Sequence, residues 1–280
     1  MKQRVISSLV GLAILFAVLV FFDTLVLNVA VSIVIVMQIF ELLTAAGYHK
    51  TSASSLSAFA FGSLIPFFQT SAIANVLPVV CFCFALILVC ALLKDHETLR
   101  VEQVAAIFFF TIAIAFSGSC FVFMRDVMGS TVGMYGIFVG LVGAWMSDTG
   151  AYFVGTSFGK RKLAPKISPK KTLEGAIGGV IISTVSQVAM ALIYIQVMDI
   201  FFGLEVTIRF LPLILISPIL SVLSVVGDLT FSIIKRQFNL KDFGNIMPGH
   251  GGALDRFDSL ILIMPLVYIL FRYLPLLEVL

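Results

Sequence analysis

Residues 1–22, MKQRVISSLVGLAILFAVLVFF, begin with two cations and run on into a long apolar stretch. Such a start belongs either to a cleaved secretory signal or to a membrane span. The run is longer than a signal's apolar region and no small-residue cleavage site follows it, so an uncleaved first span is expected. The rest of the chain points the same way. Of its 280 residues 60% are hydrophobic, 12% are charged and 27 are phenylalanine, and the mean hydropathy is +1.12. No single soluble core hides that much apolar surface. Apolar windows long enough for a hydrocarbon layer of ~30 Å recur throughout. They fall near 5–22, 24–45, 55–73, 75–94, 102–124, 131–156, 173–198, 207–234 and 257–275, the first two close enough to form a tight hairpin. The expected fold is therefore an all-α polytopic integral membrane protein of about nine transmembrane helices.

Charge placement sets the expected orientation. With the N-terminus in the cytoplasm, 15 of the 18 Lys and Arg fall on one side, among them Lys2, Arg4, Lys50, Lys94, Arg100 and the six between 160 and 171. Only Arg125, Arg209 and Arg272 lie opposite, as the positive-inside rule requires. The expected organisation is N-terminal transmembrane helices over 1–130 and a catalytic transmembrane region over 131–280, with cytoplasmic loops at 157–172 and 235–256. The net charge of +3 is small, and no nucleic-acid partner is expected. Cys81, Cys83, Cys90 and Cys120 all lie in apolar runs without a neighbouring His cluster, which reads as packing and not as a zinc site or disulfide framework.

Polar residues gather in three segments of the second half: WMSDTGAYFVGTSFGKRKLAPKISPKKTLEGAIGG (145–179), SVVGDLTFSIIKR (224–236) and QFNLKDFGNIMPGHGGALDRFDS (237–259). In the first half Glu41 and the Asp95, His96, Glu97 group stand alone and are expected to be solvated or interfacial. Ser147 and Asp148 sit deep in the sixth span, where an ionised carboxylate is costly without a cation or hydrogen-bond donors. Tyr152 and Gly155 share that face at i+4 and i+7. Asp148 is expected to be functional, a plain hydrogen bond to a neighbouring helix being the alternative. In the eighth span Asp228, Ser232, Lys235 and Arg236 form one stripe, an acid inside the membrane with two cations at its edge.

Asp255 and Asp258 are spaced i, i+3, so on a helix both carboxylates share a face. With Asp228 they suit a magnesium ion that keeps waters and bridges phosphates; ordinary N-terminal helix acids are the alternative. In PGHGG, Gly249, Gly251 and Gly252 allow left-handed backbone and close approach of N–H groups to an anion, and His250 can donate a hydrogen bond or move a proton. In ISPKKTLEG, Ser168 is expected to cap a helix, with Pro169 at its first position and Lys170, Lys171 and Thr172 in its first turn. Such an end attracts a substrate phosphate or an anionic lipid head group. GTSFGKR (155–161) is not a P-loop: its glycines are one residue too close and Arg161 stands where Ser or Thr is required.

The stretch SIIKRQFNLKDFGNIMPGHGGALDRFD (232–258) resembles the signature of the phosphatidate cytidylyltransferase, or CDP-diacylglycerol synthase, family. Ser232, Lys235, Arg236, Lys241, Asp242, Pro248, His250, Gly251, Gly252, Asp255, Arg256 and Asp258 fit it. SDTGAYFVGTSFGKRKLAPKISPKKTLEGAIGG is similar to the family's second block, whereas the N-terminal half is matched only by hydropathy. Departures at Met247 and Ala253 put nothing chemical in doubt. The resemblance implies an integral membrane enzyme, its polar cavity open to the cytoplasm, that joins CTP to phosphatidic acid, giving CDP-diacylglycerol and pyrophosphate; the compact chain, without extra soluble domains, is expected in a bacterial inner membrane. The resemblance also implies a need for magnesium, leaves room for a second, monovalent cation, and allows a homodimer.

On this footing the expected catalytic group is Asp228, Asp255, Asp258, His250, Lys235 and Arg236, the three aspartates holding the metal. Expected substrate contacts are Ser147, Asp148, Lys170, Lys171, Thr172, Glu174, Ser232, Lys241, Asp242, Gly251, Gly252 and Arg256. A CTP-using lipid-alcohol kinase would share the spans and basic loops but not the full His-Gly-Gly and Asp-Arg-x-Asp pattern. A cation-coupled transporter would use intramembrane aspartates without needing a glycine-rich phosphate loop.

Overall fold

The computed structural model describes residues 2–48, 53–68, 76–246 and 251–280. Lys50, Met247, Pro248, Gly249 and His250 lie outside the described residues. In chain order the elements are α1 (Lys2–Val20), α2 (Leu25–Ala45), α3 (Ala53–Leu64) with a 3-10 turn (Ile65–Phe67), α4 (Leu77–Lys94), α5 (Val101–Met128) and α6 (Ser130–Phe158). They continue with β1 (Lys162–Ala164), β2 (Ser168–Thr172), α7 (Leu173–Phe202), β3 (Val206–Ile208), α8 (Phe210–Gln237), α9 (Leu254–Phe257), α10 (Leu260–Tyr273) and β4 (Leu277–Val279).

Among the described residues six helices, α2, α4, α5, α6, α7 and α8, are long and apolar enough to cross a membrane, which makes the chain a helical membrane protein. The other three expected spans coincide with apolar helices that are shorter over the described residues: Leu9–Val20 within α1, Ala53–Phe67, after which 69–75 lie outside the described residues, and α10. Proline marks two of these helix ends. Pro66 tightens the end of α3 into a 3-10 turn, and Pro275 forces Leu274 out of helical geometry (φ −135°, ψ 78°). The 14 residues of α10 reach ~21 Å at 1.5 Å per residue. At the start of the expected eighth span, residues 206–208 form β3 and pair with β4 in the register Val206 to Val279.

Close Cα packing divides the chain into two units, 1–126 with 237–257, and 127–236 with 258–280. In the first, α2 is the central rod. A Cβ on Gly62 of α3 would fall 2.5 Å from Ile39 Cδ1, and one on Gly118 of α5 would fall 2.5 Å from Ile35 Cγ1. Both neighbouring helices thus give up a side chain to let α2 in, and Ile35 and Ile39 are buried. Phe61, Phe84 and Phe108 stack from α3 through α4 to α5 with centroids 4.6 and 5.9 Å apart. Arg125 holds the turn between α1 and α2, donating from Nη1 to Phe22 O (2.9 Å) and Thr24 O (2.8 Å) and from Nη2 to Asn28 Oδ1 (2.8 Å). Carbonyls that a helix end leaves unsatisfied are the natural acceptors for such a cation. Of the cysteines Cys120 is buried, while Cys83 and Cys90 lie on exposed faces of α4 and so do not pack as core residues.

In the second unit α6 and α7 approach backbone to backbone. A Cβ on Gly175 would sit 2.7 Å from Ala151 O, one on Gly179 2.7 Å from Ser147 O, and one on Gly150 3.1 Å from Gly178 O. Small residues at four-residue spacing allow this contact where lipid gives helices no hydrophobic reason to associate. Polar side chains seal the pair: Gln187 Nε2 donates to Val139 O (2.6 Å), Ser183 Oγ to Gly143 O (3.2 Å) and Tyr194 OH to Thr131 O (2.6 Å). Gly203, at φ +62°, ends α7 in left-handed geometry.

The α6–α7 contact yields a test of this packing. Gly179→Val should destabilise the protein by about 1–3 kcal/mol, toward the upper end because the obstacle is a backbone carbonyl. A control, Gly11→Ala, meets nothing within 4 Å and should leave the melting midpoint in detergent unchanged.

Candidate active site

The second unit gathers polar side chains from α6, α8, the β2–α7 junction and the turn before α10. On α8, Ser221, Ser224, Asp228, Ser232 and Lys235 fall on one stripe of an uninterrupted helix. Ser147 Oγ lies 2.7 Å from Ser221 Oγ, and Ser224 Oγ is 3.5 Å from Asp148 Oδ1, so serines from facing helices fix the wall beside Asp148. Lys171 makes an ion pair with Asp228 through Oδ2.

Asp258 is buried at 6% exposure and accepts from its neighbour, Ser259 N, at 2.8 Å. Gly227 makes room for it: a Cβ there would stand 2.9 Å from Asp258 O and 3.0 Å from Ser259 Cα. The turn carrying Asp258 is thereby seated against the turn of α8 that carries Asp228. Asp258 feels the charges of Asp228, Lys235 and Asp148, and Asp148 feels Lys171 and Asp228.

The β2–α7 junction differs from expectation. Residues 168–172 form a strand paired antiparallel with β1, Lys162 opposite Thr172 and Ala164 opposite Ser168. Ser168 does not cap, and Lys170, Lys171 and Thr172 precede the helix. Proline biases the residue before it toward extended backbone, which suits Ser168 to the strand. The cap is Thr172 (φ −121°, ψ 155°), whose Oγ1 accepts from Gly175 N at 3.1 Å. Glu174 turns back to the end of α6, its Oε2 accepting from Lys160 N (3.0 Å) and Arg161 N (3.1 Å). Together these contacts close the base of the hairpin that presents Lys170 and Lys171.

The first unit holds the rest of the signature. The expected single helix through Asp255 and Asp258 is broken: α9 ends at Phe257 and α10 begins at Leu260, with a turn between. Asp255 Oδ2 accepts from Phe243 N (2.9 Å) and Gly252 N (3.1 Å), closing a loop in which Lys241 and Asp242 are exposed. Gly251 has φ +89°, the left-handed geometry expected of it. The amides of Gly252, Ala253 and Leu254 do not face outward as an anion nest, because carboxylates of the protein already fill them. Arg256 is exposed on α9.

Glu41, expected to be solvated or interfacial, is 2% exposed. Its Oε1 accepts from Ala253 N (2.9 Å) and its Oε2 from Leu254 N (2.8 Å). A lone carboxylate in the apolar run of α2 was itself the signal, since such a group persists only where donors meet it. Ser221 and Ser224 were also missed; they stand seven and four residues before Asp228, on its own helical face.

Among the described residues no three His, Cys, Asp or Glu side chains close around one point tightly enough to cage a metal. The donors nevertheless fit a hard divalent ion held largely by water and phosphate. Asp148, Asp228 and Asp258 interact electrostatically within one unit, and the cations acting on them are Lys171 and Lys235. Asp255 belongs to the other unit.

The sequence from residue 2 to 274 matches the model of the cytidylyltransferase family. The chain belongs to the cytidylyltransferase family. A phosphatidate cytidylyltransferase of Bacillus subtilis (strain 168) is 35% identical over 277 residues, covering 96% of this chain and 97% of that protein. Those of Staphylococcus haemolyticus (strain JCSC1435) and Staphylococcus aureus (strain COL) are 39% and 40% identical over 162 residues, 58% of each chain. The cytidylyltransferase match thus includes the N-terminal half, where the signature gives no guidance.

A local test concerns the hairpin base. Thr172→Ala removes the cap of α7 and should cost about 1 kcal/mol, read as a lower melting midpoint, whereas Thr172→Ser should retain most of it.

Proposed function

We propose that this cytidylyltransferase transfers CMP from CTP to phosphatidic acid, giving CDP-diacylglycerol and pyrophosphate. The observation that carries this is the whole-chain similarity to the Bacillus subtilis enzyme together with the signature from Ser232 to Asp258. An oxygen of the lipid phosphate attacks the α-phosphorus of CTP, a new phosphoanhydride forms, and the bond to the β-phosphate breaks. The attacking phosphate is already anionic, so no covalent enzyme intermediate and no strong base are needed. Positioning and charge stabilisation supply the rate.

Asp228 and Asp258, supported by Asp148, would hold Mg²⁺, which supplies neutralisation of phosphate charge as pyrophosphate departs. Lys171, which pairs with Asp228, stands beside these acids where its ammonium would meet a phosphate. Lys170, Lys171, Lys235, Arg236, Lys241 and Arg256 neutralise the triphosphate and the lipid phosphate, with Ser232 and Asp242 beside them in sequence. His250 donates to the leaving pyrophosphate. Asp255 and Gly252 shape their own turn through the hydrogen bond between them, Gly251 gives that turn its left-handed bend, and Ser147, Thr172 and Glu174 hold the surroundings of Asp148 and Lys171.

We also assign nine spans with a cytoplasmic N-terminus, in a bacterial inner membrane, with 1–130 as scaffold, 131–280 as the catalytic region and a homodimer as the assembly. The distribution of Lys and Arg supports the orientation. Glu41, near the end of the second helix from a cytoplasmic start, bonds to the signature loop that the same count places in the cytoplasm.

Detergent-purified protein given labelled CTP, phosphatidic acid and magnesium should make lipid-extractable cytidine label and pyrophosphate together. EDTA should abolish both and excess Mg²⁺ restore them. A kinase would give free CDP and no CDP-lipid. Asp228→Asn and Asp258→Asn should lower kcat at least 100-fold, and Lys241→Ala about tenfold; wild-type turnover in Asp258→Asn would remove that carboxylate from the metal site.

A further inference from the structure

We infer that Glu41 is a positioning residue for the signature: a carboxylate on α2 that sets the turn carrying Asp255 and Arg256 and on which turnover depends. The inference rests on the reading of the chain as a CTP-dependent lipid cytidylyltransferase.

Four observations carry it. Glu41 is 2% exposed, so its charge is withdrawn from water and must be met by donors. Those donors are two successive backbone amides, Ala253 N and Leu254 N at 2.9 and 2.8 Å, one to each carboxylate oxygen. Such a two-point contact fixes orientation as well as distance. The surrounding backbone is also cut to fit this side chain. A Cβ on Gly244 would lie 2.5 Å from Glu41 Oε1, and one on Gly252 would fall on the same carboxylate, 2.7 Å from Cδ. Two glycines on opposite arms of the loop are thus explained by one acid that the signature does not contain. Finally, Asp255 completes the same loop from within, its Oδ2 taking Phe243 N and Gly252 N. The amides of 252, 253 and 254 are therefore shared between two carboxylates, and shifting Glu41 changes what Asp255 holds.

Neither obvious replacement reproduces the contact. Glutamine offers one acceptor, and its NH₂ would face an N–H. Aspartate is shorter by one methylene. The expected kinetic signature is a loss in kcat of tenfold or more with KM for CTP within about threefold, since Glu41 shapes the loop and is not proposed to touch the nucleotide.

The test uses the full-length protein in detergent and compares wild type with Glu41→Gln, Glu41→Asp and Gly252→Ala. Amide hydrogen exchange over 251–257, the melting midpoint, and kcat and KM are measured on the same preparations. Faster exchange confined to that segment, a midpoint close to wild type, a tenfold or larger fall in kcat and partial recovery in Glu41→Asp relative to Glu41→Gln support the inference. Unchanged exchange in Glu41→Gln overturns the contact. Faster exchange with wild-type kcat overturns the dependence of turnover on it. A fall in kcat matched by general loss of protection and a collapsed midpoint reduces Glu41 to a stabilising residue and overturns the positioning role; Gly252→Ala, which crowds the carboxylate from the loop side, repeats the measurement where Glu41→Gln does not fold. A wild-type protein that makes no CDP-lipid fails the functional reading instead, and the exchange result still decides whether the clamp exists.

Discussion

An ionised carboxylate withdrawn from water must be met by cations or hydrogen-bond donors, and this constraint organises the polar half of the molecule. Five acids, of which Glu41 and Asp258 are buried, are met in three different ways. Asp228 takes an ammonium, Asp148 a serine hydroxyl, and Glu41, Asp255 and Asp258 take backbone amides. The amide solutions rigidify the chain, since each fixes a turn. The ammonium and hydroxyl solutions are exchangeable, because a metal or a phosphate can replace either partner. Asp258 belongs to both groups: one amide seats its turn, while its carboxylate also feels the charges of Asp228 and Lys235.

The close approach of α6 and α7 is the scaffold for the exchangeable group. Without the glycines of 150, 175 and 179 the helices would stand apart, and the hairpin carrying Lys171 would not reach the acid on α8. The same device recurs on a smaller scale at Gly227, where a missing side chain admits the turn bearing Asp258. Glycine at these positions acts by absence of bulk, whereas Gly47, Gly129, Gly203 and Gly251 take positive φ.

How much of this could be read from the sequence depends on whether the signal is local. The helices of α2 and α4 to α8 fall where apolar windows place them, because hydropathy over some twenty residues needs no tertiary knowledge. The stripe from Asp228 to Lys235 was equally visible, as periodicity on one helix. What was not visible depended on partners distant in sequence. Thr172, not Ser168, caps α7 because β2 pairs with β1, a choice between two competing local structures that pairing decides. The i, i+3 spacing of Asp255 and Asp258 suggested one helix, whereas each acid bonds to backbone amides in its own turn. Glu41 gives no local sign of its role because no other charged residue stands near it in sequence, and its partners lie 212 and 213 residues away.

That separation bears on how the protein comes into being. Chains emerge at roughly 5–20 residues per second with N-terminal parts folding first, so α2 exists for roughly 10–40 s before the ribosome has made Ala253 and Leu254. During that interval the native donors for Glu41 are absent from the cell, and the acid must be carried by the interface, by a proton or by the insertion machinery. A chain that stops short of the signature keeps this debt permanently, which distinguishes an unfinished molecule from a finished one at a single side chain.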